Sequence, residues 1–205
     1  VTDVTEQVIQ KAHSLDMEIM CYAQDFPLWM RIVNGDSQTV PRRNMTEGST
    51  YRMFLDVYEE SWETLAREFQ NITMWEIGNE FNMDAFLHPQ GFNETIPDSP
   101  RFSVQEKADI TTDLLYYGSL GVHEGNPKAK TVLGGLAPHP SIADFLDRIY
   151  KNIKSGRWPS IDPDDYFQIA CWHPYLSDKK PTESNWVSPN KAIHDVMKHY
   201  GDEDK

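Results

Sequence analysis

Apolar positions along the chain fall into two alternating rhythms. Residues 4–15 carry Val4, Val8, Ile9, Ala12 and Leu15 at helical spacing. The next run, 17–22 (Met17-Glu18-Ile19-Met20-Cys21-Tyr22), is short and apolar and predicts a buried strand. Residues 51–69 return to the helical period, with Phe54, Leu55, Tyr58, Trp62, Leu65, Ala66 and Phe69 on one side, and 72–77 again predict a strand. Ser103-Val104-Gln105-Glu106 is a capping box, in which the serine accepts a free backbone N–H and the glutamate reaches back. The helix it opens runs to about 124, where Gly125-Asn126-Pro127 stops it. Residues 131–135 predict a strand with a small-residue exit, 141–153 a helix and 166–172 a fourth strand. A last helix to about Tyr200 is capped by Ser188, with Pro189 at its first position.

Helix and strand therefore alternate, with four strands in all. This order predicts an α/β fold of parallel strands joined by right-handed crossovers. The polar loops at 24–49 and 81–102 both follow strands, whereas the loops after helices are short. Unequal loops of this kind suit a barrel whose working face lies at the C-terminal ends of its strands. No internal repeat or linker divides the chain.

Composition narrows the function. The 205 residues are 39% hydrophobic, enough for one sizeable core. The net charge of −13 disfavours nucleic acid and anionic membranes as partners, and no run of about 18 apolar residues would span a bilayer. Two cysteines, Cys21 and Cys171, make neither a disulfide framework nor a cysteine-rich zinc site, and both are expected as free thiols. His194 and His199 are five apart on the last helix, a spacing that does not share a face, and are expected at the surface. Asn44-Met45-Thr46, Asn71-Ile72-Thr73 and Asn93-Glu94-Thr95 fit the glycosylation sequon, a pattern short enough to arise by chance.

The segment MWEIGNEF, 74–81, sets two glutamates and an asparagine at the end of an apolar strand. A carboxylate there is costly unless it is paired or used. Period 2 points Glu76 the same way as Glu80 but four residues deeper, so Glu76 is expected inside, paired with an Arg or Lys of a neighbouring strand. Glu80, at the strand end among aromatics, is suited to acid/base work if partly desolvated. Trp29, Trp172 and Tyr175 are candidate binding platforms, since a flat ring can cover the apolar face of a ligand. Asn82 and His139 lie on strand-end loops and are weaker candidates.

Trp75-Glu76-Ile77-Gly78-Asn79-Glu80 resembles the Asn-Glu signature of the clan A glycoside hydrolases. Asp25-Phe26-Pro27-Leu28-Trp29 resembles their Pro-x-Trp segment after the third strand, and Trp172-His173-Pro174-Tyr175 the His-Pro-Tyr that ends the sixth. Within the clan, the text around the fourth to sixth strands looks most like families 39 and 5. The resemblance implies the third to sixth units of a TIM (β/α)8 barrel over 1–205, with strands one, two, seven and eight absent from the chain. It implies Glu80 as general acid/base, Asn79 as the donor to the sugar 2-hydroxyl, and Tyr175 and His173 lining the same site, Tyr175 as partner of the nucleophile. The clan's nucleophile, a glutamate ending the seventh strand, lies outside this chain. Glu183, in a polar loop, is not its substitute, and the missing initiator Met points to an N-terminus upstream.

The expected activity is retaining hydrolysis of a β-linked, plant-type or other oligo- or polysaccharide by double displacement, with no cofactor and no metal. The expected partners are that substrate and the remainder of the barrel. A non-catalytic carbohydrate-binding or structural half-barrel is the alternative. A metal-dependent (β/α)8 hydrolase or lyase is disfavoured by the scarcity of paired His and Asp at the strand ends.

Overall fold

A computed structural model describes residues 3–23, 26, 35–138, 142–158, 160–175 and 180–205. Its order is α1 (Asp3–Ser14), β1 (Met20–Ala23), α2 (Thr50–Glu68), β2 (Met74–Ile77), α3 (Val104–Gly125), β3 (Lys130–Leu133), α4 (Ile142–Lys154) and α5 (Ser188–His199). A 3-10 turn, Pro163–Asp165, precedes the last extended segment, and a π-turn, Glu183–Val187, leads into α5. The strands form one parallel sheet in the order β1-β2-β3, with Glu76 opposite Tyr22 on one side and Val132 on the other. Neighbours in sequence are neighbours in space, as expected of successive β/α units.

The helices form because their apolar stripes have somewhere to go. α2 buries Tyr51, Phe54, Leu55, Tyr58, Trp62 and Ala66. Trp62 meets Trp75 of β2 edge to face at 6.0 Å, which ties helix to sheet. α3 is buried on most sides because it lies between α2 and α4 and also covers β2 and β3. Two glycines let α2 and α3 approach this closely: a Cβ at Gly121 would sit 2.2 Å from the Glu59 carbonyl oxygen, and one at Gly125 2.3 Å from that of Glu63. The expected capping box at Ser103 and Glu106 opens α3.

Four expectations need correction. The first strand begins at Met20 rather than 17. The segment 166–172 runs parallel to β3 but touches it through isolated bridges, Val132 with Ile169 and Leu136 with Trp172, not a regular ladder. The cause is Gln168, whose Oε1 accepts the Thr131 N–H at 2.6 Å and the Thr131 hydroxyl at 3.0 Å, so a side chain takes a donor that a ladder would use. Ser188 does not cap α5. Thr182 instead caps the π-turn, in a reciprocal pair with Asn185, and the chain passes from it directly into the helix. Finally, Glu76 is buried but has no ion-pair partner among the described residues; its Oε1 accepts the Gly135 N–H at 2.7 Å. Cys21 and Cys171 are both free.

Candidate active site at the strand ends

The residues that leave the C-terminal ends of β2, β3 and the 166–172 segment converge. β2 exits through Gly78, at φ 84°, where a Cβ would fall 2.1 Å from the Phe81 ring. Two residues on, Glu80 adopts the left-handed region at φ 49°. A non-glycine residue held there carries strain of about 1–3 kcal/mol, which the surroundings must offset. They do so through the Glu80 N–H, which donates to the Gly135 carbonyl at 2.8 Å. The effect is to turn the Glu80 side chain toward His173.

Glu80 Oε1 and His173 Nδ1 lie 2.7 Å apart, with the carboxylate 12% and the imidazole 24% exposed. Gly135 is what allows this. A Cβ there would stand 2.2 Å from His173 Nε2, so only glycine lets the ring lie across the β3 exit. The His173 N–H donates to the Leu136 carbonyl at 2.8 Å, which sets the height of the ring. Tyr175 is exposed beside the pair. Desolvation, and then the neighbouring Glu80 carboxylate as charge and hydrogen-bond partner, push its phenol above the ordinary tyrosine value.

The other sequence candidates fall in different places. Asn79 is half-buried next to Glu80, and among the described residues its side chain has no hydrogen-bond partner, which leaves the amide available. Asn82 is a strut. Its Nδ2 donates to the Ala137 carbonyl at 3.0 Å and its Oδ1 accepts the Ala137 N–H at 2.9 Å, so both ends of the amide are spent on bracing the β2 loop against the β3 loop. Lys107 of α3, nearly buried, secures the same loop through the Asn82 carbonyl and Asp84, both at 3.0 Å. Trp172 is tied to α5, its Nε1–H donating to Asn190 Oδ1 at 2.6 Å. Trp29 and His139 lie outside the described residues.

Sequence reasoning missed three features. A groove of about 520 Å³ runs from His173 and Tyr175 past Pro138, Ile142 and Trp172 to Trp186. Trp186, 37% exposed, gave no signal because the π-turn that presents it has no sequence pattern of its own. Gly134 and Gly135 read only as small residues, since what they accommodate lies on other strands; a Cβ at Gly134 would sit 2.5 Å from the Ile77 carbonyl oxygen. Glu76, Cys171 and His173, scattered in sequence, bring ligand-type atoms within 4.8 Å of one another.

As it stands, the arrangement can hold and exchange a proton at Glu80, with His173 as its partner and Tyr175 at the rim. No family model matches the sequence, and no curated protein matches it. Solved structures do. Two fungal β-1,4-galactanases provide a match at TM-score 0.62 and 16% identity, over 98% of this chain and 54% of the other. A GH10 endoxylanase from a sugarcane soil metagenome matches at TM-score 0.60 and 16% identity, over 94% and 50%, and a GH10 protein from Paenibacillus barcinonensis at 0.53 and 12%, over 96% and 51%. The chain thus spans about half the length of these structures, and what it shares with them is an α/β fold of parallel strands, similar to part of a TIM barrel.

Proposed function

We propose that this chain is the acid/base-bearing part of a retaining, clan A-type glycoside hydrolase domain, the third to sixth β/α units of its barrel. Its substrate is a β-linked oligo- or polysaccharide of the plant cell-wall kind. The observation that carries the reading is Glu80: a nearly buried carboxylate, held in a left-handed strand exit and hydrogen-bonded to His173, at the C-terminal ends of parallel strands. The matched galactanases and endoxylanase bear on the substrate class, and the groove from Tyr175 to Trp186 is of a size and aromatic character that suits a chain of sugars.

In this mechanism Glu80 gives its proton to the departing glycosidic oxygen while a second carboxylate, about 5–5.5 Å away, attacks the anomeric carbon. That nucleophile comes from the part of the barrel beyond this chain. Glu80, now ionised, takes a proton from water in the second step. His173 keeps the carboxylate aimed, Tyr175 meets the nucleophile, and Asn79 donates to the sugar 2-hydroxyl, a contact that strengthens in the transition state.

The test is Glu80→Gln in the full-length enzyme. Loss of general acid help costs about 10²–10⁴-fold, and it should fall unevenly. Hydrolysis of glycosides with alcohol leaving groups should collapse. Activated aryl glycosides should still form the covalent intermediate, which accumulates because water lacks its base. Azide needs no base and should restore turnover as a β-linked glycosyl azide. Equal losses on both substrate types without azide rescue would remove Glu80 from the role and favour a non-catalytic carbohydrate-binding half-barrel.

A further inference from the structure

We propose that Glu76, Cys171 and His173 form a three-ligand site for a thiophilic divalent cation, zinc above all, directly beneath Glu80. The three side chains come from β2 and from the segment after β3, and their ligand atoms lie within 4.8 Å of one another. Two of them converge on the same point of the backbone: Glu76 Oε1 takes the Gly135 N–H at 2.7 Å, and His173 Nε2 lies 2.2 Å from where a Cβ of Gly135 would be. Because Nδ1 of His173 is engaged by Glu80, Nε2 is the ring nitrogen left to ligate. Glu76 is 5% exposed, and no lysine, arginine or histidine among the described residues forms an ion pair with it. A cation is what this buried carboxylate lacks.

The donor set chooses the ion. One sulfur, one imidazole nitrogen and one carboxylate oxygen suit zinc and not magnesium or calcium, which take oxygen. Zinc bond lengths of about 2.0–2.3 Å put tetrahedral ligand atoms ~3.5 Å apart, so closure asks for movements of about 1 Å, within the reach of side-chain rotation. Binding ionises Cys171 and releases its proton to solvent. The Glu80-His173-metal line is then the carboxylate-histidine-metal arrangement in which the carboxylate accepts Nδ1–H. The binding does not rest on the acid/base reading above.

The experiment uses the full-length protein stripped of metal by a chelator. Cobalt(II) should give a thiolate charge-transfer band that saturates at one equivalent and is displaced by zinc. Cys171→Ser should abolish the band and Cys21→Ser should keep it. Glu80→Ala, which removes the carboxylate orienting His173, should weaken zinc binding by about 10–100-fold. In the unaltered protein, zinc should protect Cys171 from alkylation and leave Cys21 as reactive as before, a readout independent of how well any variant folds. No band, a band that survives Cys171→Ser, or unprotected Cys171 would overturn the site. Failure of the Glu80→Gln azide test with zinc binding intact would strike the acid/base reading alone.

Discussion

Glu80 is held in place by residues that have no functional groups. Gly78 turns the chain out of β2, Gly134 lets β2 and β3 exit side by side, and Gly135 clears the space for the His173 ring. The two last glycines differ in what a methyl group would meet. At Gly134 it is backbone, which cannot rotate away, so Gly134→Ala should destabilise the fold by about 1–3 kcal/mol. At Gly135 it is an imidazole that can swing aside. Gly135→Ala should therefore leave the circular dichroism spectrum intact but break the bond from His173 Nδ1 to Glu80. The check is the imidazole nitrogen resonances of His173. If they are the same in the alanine variant, the ring does not lie over Gly135 and the site is drawn wrongly.

Among the elements, α3 is the keystone. Asp113, fully buried, accepts Arg43 Nε–H at 2.6 Å and the Tyr51 hydroxyl at 2.9 Å, which fastens the loop before α2 and the start of α2 to α3. Further along the same contact, Gly121 and Gly125 bring the helices close. Two effects oppose one another in Gly121→Ala. Helix propensity favours alanine by about 1 kcal/mol, while overpacking costs about 1–3 kcal/mol. With the Glu59 carbonyl oxygen 2.2 Å from the new Cβ and no rotamer to escape into, the clash wins. Urea unfolding should show a net loss of up to about 2 kcal/mol; a gain would mean that α2 and α3 are not in contact here.

A second contact, between α4 and the end of α5, makes stability depend on pH. The Tyr200 hydroxyl donates to Asp147 Oδ1 at 2.8 Å, and Lys151 pairs with Oδ2 at 2.6 Å. Desolvation alone would raise the Asp147 pKa, but the Lys151 and Tyr200 bonds outweigh it and the value is lowered. A carboxyl whose folded pKa lies below its unfolded one adds stability above the unfolded value, about 3.9, and loses it as pH falls through the folded one. Asp147→Asn should thus be less stable than the unaltered protein at about pH 6, and the gap should close by about pH 2–3. A gap that does not change with pH would show that the contact is not ionic.

For the whole molecule, the open sheet is the dominant fact. Among the described residues β1 is an edge, and Met20 and Tyr22 on it are 48% and 56% exposed, although Tyr22 faces the same way as buried Glu76. In a closed barrel that face is interior. An uncovered apolar edge invites pairing with another chain. Residues 1–205 by themselves should associate as concentration rises, and lysine at Met20 or Tyr22 should shift sedimentation toward the monomer. Sedimentation as a monomer at all concentrations, without substitution, would mean that the edge is covered by the chain itself.

Much of this was legible in the sequence because it depends on local periodicity. The helices, the strand cores at 74–77 and 130–133, the capping box at Ser103 and Glu106 and the strand-end placement of Glu80 all follow from spacing along the chain. The resemblance of three short segments to glycosidase strand ends agrees with the fold shared with solved glycosidases. What the sequence could not decide are matters of which distant residue fills a given space. Gln168 replaces a ladder bond because Thr131 happens to lie opposite it, Asn82 is spent on Ala137 rather than left for a ligand, and Glu76 meets a backbone N–H where a lysine or arginine was expected. The positive φ of Glu80 belongs to this group too, since no local signal asks a glutamate to adopt it. It is held by a carbonyl 55 residues away in the chain. Periodicity selects elements because a helix or strand buries one face whatever lies against it. Only the assembled fold selects partners, because a hydrogen bond or a missing Cβ has meaning only against the particular atoms that packing brings to it.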